Sequence, residues 1–152
     1  LFFGSTVAFA APPEYFEPLV INGCGIWPHT RCPGADLRHA NLAGQNLAGA
    51  DLRGAQLARA DFRGAKMVGA DLEFARLFRT DFTNADLTAA NLEAAKANFA
   101  WFIGVRLNNA NLQETKFFTV NFRKADLTGI YRRFAVFQEA DFEGCTNCPT
   151  DW

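Results

Sequence analysis

From Ala35 onward the apolar positions recur every five residues. The blocks Ala35-Asp36-Leu37-Arg38-His39, Ala40-Asn41-Leu42-Ala43-Gly44 and Gln45-Asn46-Leu47-Ala48-Gly49 open a run that continues without insertion to Gly144, 22 blocks in all. The first position is Ala in 16 blocks, the second Asp or Asn in 13, and the third Leu, Phe or Met in 20, failing only at Ala97 and Arg132. A period of five fits neither the 3.6 of a helix nor the 2 of a strand. It suits a unit that turns one corner and sends one apolar side chain inward, so that four corners close a square coil of twenty residues. A longer period tests this independently. Phe62, Phe82, Phe102, Phe122 and Phe142 are spaced by twenty; Leu47, Met67, Leu87, Leu107 and Leu127 hold a second phase; Leu52, Leu72, Leu92 and Leu112 hold a third. The pattern predicts Phe stacked on Phe along one side and Leu on Leu along two others. Arg132 is the one charged residue in the inward phase. An unpaired buried guanidinium is too costly, so the last coil is expected to bulge there and turn Arg132 outward.

The other positions agree with this geometry. Ala at the first position leaves room for the neighbouring Leu or Phe. Gly recurs at the fifth (Gly44, Gly49, Gly54, Gly64, Gly69, Gly104, Gly129, Gly144), where a tight turn calls for positive φ. Asp and Asn at the second can bond to nearby backbone. The run resembles the pentapeptide-repeat family, whose unit is Ala-(Asp/Asn)-Leu-x-x, over Ala35–Gly144. The resemblance implies an all-β fold, a right-handed quadrilateral β-helix with the first and third residues inward. Here that gives about 5.5 coils, a rod roughly 26 Å long at ~4.8 Å per coil. It implies little about function.

A solenoid exposes strand edges at both ends and needs caps. The expected organisation is an apolar N-terminal arm and cap at 1–23, a disulfide cap loop at 24–34, the β-helix at 35–144 and a C-terminal cap at 145–152. Tyr15–Ile21 is expected to make a short helix or turn over the first coil. Leu1–Ala10 is apolar, and Ala8-Phe9-Ala10 before Ala11-Pro12 has the small-x-small form of an export signal. It reads as a targeting stub or as an arm ordered by packing. The four cysteines lie only at the two ends, Cys24 and Cys32 before the repeat, Cys145 and Cys148 after it. A four-Cys zinc site would need Zn–S bonds of ~2.3 Å from both ends of the rod. A redox-active Cys145-Thr146-Asn147-Cys148 pair lacks a thioredoxin-like βαβ context. Two local disulfides, Cys24–Cys32 and Cys145–Cys148, are the reading preferred here, and they imply an oxidising compartment such as a lumen or periplasm.

Composition narrows the function classes. The chain has 152 residues, half of them apolar, and carries 15 basic and 16 acidic side chains for a formal charge of −1. That balance speaks against a general nucleic-acid binder, whose affinity rests on neutralising many phosphates. No apolar run reaches the ~18–20 residues of a membrane-spanning helix. Gly23-Cys24-Gly25 lacks the strand–turn–helix of a phosphate loop. His29 and His39 have no nucleophile partner, and the many Asp and Asn are explained by the repeat as turn residues. No catalytic residue, metal site or cofactor is expected, and the chain is read as a non-enzyme. Asn-x-Ser/Thr sequons are absent.

Sorting the blocks by side singles out one face. Blocks 35–39, 55–59, 75–79, 95–99, 115–119 and 135–139 carry Arg38, Arg59, Arg76, Arg79, Lys96 and Lys116 against only Asp36 and Glu139. Here the second position abandons Asp and Asn for Gln56, Arg76, Lys96 and Lys116. Phe78 and Phe118 occupy outward fourth positions, and Phe74, Phe99 and Trp101 lie at or near the adjoining corners. Acidic residues collect on blocks 50–54, 70–74, 90–94 and 110–114 (Asp51, Asp71, Glu73, Glu93, Glu114 against Arg53), which suggests a rod polarised across its width. Clustered aromatics with Arg are what protein interfaces enrich. The expected partner-binding set is Arg59, Phe74, Arg76, Phe78, Arg79, Lys96, Phe99, Trp101 and Phe118. The resemblance is strongest to thylakoid-lumen members of the family, in chloroplasts and cyanobacteria. It implies a non-catalytic interaction solenoid, a lumenal subunit or assembly factor of a photosynthetic membrane complex such as a photosystem. The alternatives are a DNA-mimicking topoisomerase inhibitor, which needs an acidic rod, and a redox-sensing lumenal protein that uses its terminal disulfides.

Overall fold

The computed structural model describes residues 17–150. The apolar arm, Tyr15, Phe16 and the last two residues, on which parts of the terminal expectations fall, lie outside them. The described chain begins with a two-stranded antiparallel hairpin, β1 (Val20–Ile21) and β2 (Cys24–Gly25), with Val20 opposite Gly25 and Ile21 opposite Cys24. Over residues 17–21, the described part of Tyr15–Ile21, it replaces the expected helix or turn. The reason is local: Asn22 and Gly23 both take positive φ, 49° and 78°, the conformation an Asn-Gly hairpin turn requires. The Ile26 amide donates to Leu19 O at 2.8 Å and extends the pairing. Cys24 and Ile26 are buried and join the core of the rod.

From Arg31 to Asp126 the second residue of every block pairs in parallel with the residue twenty positions on, the last such pair being Asp126 with Thr146. Each pairing uses two backbone bonds of the same form. In the Arg76–Lys96 pair the Lys96 amide donates to Ala75 O at 3.0 Å, and the Leu77 amide to Lys96 O at 2.8 Å. Within a block the third carbonyl accepts from the next first residue, as Leu57 O does from the Ala60 amide at 3.0 Å. That bond makes the corner, and the fifth residue turns it with positive φ in every block, Gly44 at 68° and Phe99 at 60° alike. The result is a four-sided β-helix in which each side contributes a single bridging residue per coil.

First and third residues face inward and are almost wholly buried along the run. Phe62, Phe82, Phe102, Phe122 and Phe142 form one stack, with successive centroids 5.1, 5.0, 5.1 and 5.3 Å apart. Ala97 breaks the apolar third position without leaving the core. One coil further on, Phe117 meets both Phe102 and Phe122 edge-on, at 5.7 and 5.1 Å, so a large ring beside a small residue restores the packing. Thr80 and Thr115 replace Ala inside the rod, and their hydroxyls donate to Leu57 O at 2.8 Å and Leu92 O at 2.7 Å.

Arg132 is exposed, but the coil does not bulge to release it. Its block keeps the usual corner bond, Ala135 N to Arg132 O at 3.0 Å, and the usual bridge, Asn111 to Tyr131. Arg132 belongs to the last full coil, so its inward phase lies near the end of the stack and a regular block can carry a charge there. Cys24 is disulfide-bonded to Cys32, with Cα atoms 5.6 Å apart, and Cys145 to Cys148, 6.0 Å apart.

Candidate functional site

The repeat has a built-in way to satisfy the amide of its fourth residue. In all 13 blocks with Asp or Asn second, the side-chain Oδ1 accepts that amide at 2.9–3.2 Å, a local side chain-to-backbone turn. Nine blocks lack this acceptor, and five of them (second residues Gln56, Arg76, Lys96, Lys116 and Val136) lie on the basic side. There the amides of Ala58, Phe78, Asn98, Phe118 and Gln138 donate to nothing among the described residues. One face therefore presents a column of open backbone donors.

Five of the six cations of the same face are also open. Arg38, Arg53, Arg63, Arg106 and Arg123 each pair with a carboxylate of their own or the neighbouring coil. Among the described residues Arg59, Arg76, Arg79, Lys96 and Lys116 pair with none. Arg76, Lys96 and Lys116 are successive rungs of one ladder, so three like charges are stacked at the strand spacing of ~4.8 Å.

The aromatic members divide by place. Phe78 and Phe99 meet edge-on at 5.6 Å, and the Arg79 guanidinium lies 5.4 and 6.0 Å from their centroids, within cation–π range. Trp101 stands on the next face but lines one shallow cavity with Arg59 and Arg79, together with the ion-paired Asp61, Arg63 and Asp81. A second cavity holds Arg76, Phe78, Lys96 and Asn98. Phe74 is 61% exposed and sits at the opposite corner of the face, apart from Trp101. Phe118, expected to project outward, is only partly exposed.

Two features of the site escaped the sequence reading. The Asn98 Oδ1 is buried without a hydrogen-bond partner, beside Arg76 and Lys96; nothing in the local sequence marks it. The other was legible. The corner that ends this face carries His39, Arg59, Arg79, Phe99, Thr119 and Glu139, all with φ between 54° and 61°, and no glycine. Each of the other three corners has glycine at two or more levels. A left-handed conformation is unfavourable for any residue with a Cβ, so this edge retains side chains against local backbone preference.

The acidic face is not opposite the basic one. Blocks 50–54 and 55–59 are consecutive, so the two faces share a corner, and the ladder Asp51, Asp71, Asn91, Asn111 runs beside the ladder Gln56, Arg76, Lys96, Lys116. The opposite face mixes Asn46, Lys66, Asp86, Arg106 and Asp126. On the adjoining faces Arg53 holds Asp51, and Arg63 holds Asp61, below the usual carboxylate range through direct hydrogen bonds. Among the described residues no group of three or more His, Cys, Asp or Glu could hold a metal, and no helix is long and apolar enough to cross a membrane.

Comparison with known proteins bears on the repeat. The family model "Pentapeptide repeats (8 copies)" matches residues 35–73, 55–93, 71–113 and 90–130. QnrB1, a plasmid-mediated fluoroquinolone resistance protein, is 14% identical over 78% of this chain and 80% of its own, with a TM-score of 0.53. A pentapeptide repeat protein (Rfr23) from the cyanobacterium Cyanothece 51142 is 26% identical over 76% of this chain and 86% of its own, with a TM-score of 0.38. One from the Arabidopsis thaliana thylakoid lumen is 30% identical over 64% of this chain and 61% of its own, with a TM-score of 0.24. No functionally curated protein matches the chain. The likeness to QnrB1 is one of fold alone. With the family model covering most of the chain and every coil closing at twenty residues, this protein belongs to the pentapeptide-repeat family, whose members fold as right-handed quadrilateral β-helices.

Proposed function

We propose that this chain is a non-catalytic scaffold that docks a protein partner against its basic–aromatic face in an oxidising compartment. One observation carries the reading: Arg59, Arg76, Arg79, Lys96 and Lys116 have no carboxylate partner among the described residues, whereas four arginines on the other faces do, and on this face only Arg38, in its first block, is paired. Exposed Phe78, Phe99 and Trp101 sit among them, 40–43% accessible. Charged groups flanking aromatic anchors are the composition of an interface, and apolar exposure of this kind is offset when a partner covers it. The terminal disulfides support an oxidising location, with the two ends of the rod acting as its caps. The family resemblance supports the finer reading of a lumenal subunit or assembly factor of a photosynthetic membrane complex in the thylakoid. A DNA-mimicking role against a topoisomerase would need an acidic rod, and six cations against two carboxylates on one face count against it.

The test is crosslinking in the native membrane with partners identified by mass spectrometry, repeated with Phe78→Ser combined with Phe99→Ser. Those two rings project outward, so the variant should melt within a few degrees of the wild type and lose its crosslinked partner. Co-migration as strong as that of the wild type would show that this face is not the interface. A supercoiling assay with gyrase should show no inhibition.

A further inference from the structure

The identity of the groups left open on this face describes the partner. The face lacks acceptors twice over. Its second positions carry cations on three successive coils, where other faces carry mostly Asp or Asn, and its fourth-position amides, those of Phe78, Asn98 and Phe118 in the centre, lack the Oδ1 that caps their equivalents in 13 blocks. A carboxylate brought in from outside would answer both needs at once. It can accept the open amide, as the chain's own Asp does elsewhere, while lying against the ammonium or guanidinium of the second position, and such charge-assisted bonds are the stronger ones. The vacant cap is therefore a carboxylate-shaped position, repeated over three coils at Arg76, Lys96 and Lys116.

Resting on the docking reading above, we infer that the partner presents an acidic peptide segment whose carboxylates take the place of the missing Asp and Asn caps along Arg76, Lys96 and Lys116. Its apolar side chains cover Phe78, Phe99 and Trp101, and a further carboxylate meets Arg59 and Arg79 at the glycine-free corner. The width of the cationic strip favours a peptide over a nucleic acid. It is one face wide, bordered by Asp51, Asp71, Glu73 and Glu93 on one side and by Asp61 and Asp81 on the other, which would repel a wider polyanion.

The experiment measures binding of three fluorescent probes to the whole protein: a peptide alternating Glu and Phe, its Gln-for-Glu counterpart, and a short oligothymidine. The acidic peptide should bind, weaken as salt is raised, and exceed the other two. The decisive variant is Arg76→Asn with Lys96→Asn, which restores the repeat's own caps. Its melting temperature should be unchanged or higher, because each Asn regains an amide bond, while affinity for the acidic peptide should fall at least about tenfold. Arg59→Gly with Arg79→Gly removes the corner cations at φ 60° and 54°, where glycine is at ease, and should weaken binding in the same direction. No binding of the acidic peptide, equal binding of the Gln peptide, tighter binding of oligothymidine, or full affinity in the restored-cap variant would each overturn the inference. If the crosslinked partner depends on Phe78 and Phe99 while the acidic peptide fails, the docking surface stands and only the acidic chemistry of its occupant is wrong.

Discussion

Phe82 lies in the middle of its stack, fully buried, with Phe62 and Phe102 rings 5.1 and 5.0 Å away. Neither neighbour can move in, because each is held by its own coil through backbone bonds. Phe82→Ala should therefore leave most of its cavity open and cost about 3–5 kcal/mol, read by chemical denaturation; an effect below about 1 kcal/mol would mean the ring is not enclosed as described. The surface carboxylates make a second residue-scale expectation. The Arg38 side chain bonds Asp36 directly and pulls it down to about 2, and Arg53, Arg63 and the Thr128 hydroxyl lower Asp51, Asp61 and Asp126 in the same direction. Folding favours the ionised forms, so their stabilisation is complete above about pH 4, the ordinary Asp range, and is lost as pH falls towards 2. Melting temperature should be flat from neutral pH to about 5 and drop below about 4. A melting temperature that stays level down to pH 2 would show that these contacts are too screened to matter.

At the scale of the element, the hairpin and its disulfide are the least repetitive part of the rod. Cys24 is buried while Cys32 is partly exposed, eight residues away. In the chain-entropy account a loop of that size stabilises by about 2–3 kcal/mol. Replacing Cys24 and Cys32 by Ala should lower the unfolding free energy by about that amount, and thiol titration of the native protein should find no free cysteine; four free thiols would remove the case for an oxidising compartment. The repeat itself was legible in the sequence because each block satisfies its own corner and its own inward residue, so Leu37 or Phe62 needs no knowledge of distant residues. β1 was not, since two residues are too few to show alternation; its signal was the Asn22-Gly23 turn. Arg132 does face outward as expected, but without the bulge, because position along the rod decides how deep an inward phase lies. The basic face could be assembled by counting in twenties, but its open amides and the orphaned Asn98 oxygen could not. They depend on what the coils above and below leave within reach.

For the molecule as a whole, every coil bonds only to those before and after it, so long-range order is built from one repeated separation. That makes the proposed docking face a property of register. Its cations line up because the chain advances by a quarter of a coil per block, and its two edges differ because glycine is spent on three corners and withheld from the fourth. Duplicating residues 75–94, one complete coil, should yield a folded protein with one more cation rung, a longer Phe stack and tighter binding of an acidic probe. A melting temperature far below that of the parent would mean that the coils are not interchangeable. Loss of a single block has a different outcome, because the twenty-residue pairing would continue from a new starting corner. Everything beyond the cut would be turned by ninety degrees, carrying Lys96 and Lys116 from above Arg76 to above Asp71. In a lineage of such rods, small slips in copying would act as a selector dial: gains or losses of five residues would choose which surfaces are aligned, and gains of twenty would set how far the alignment runs.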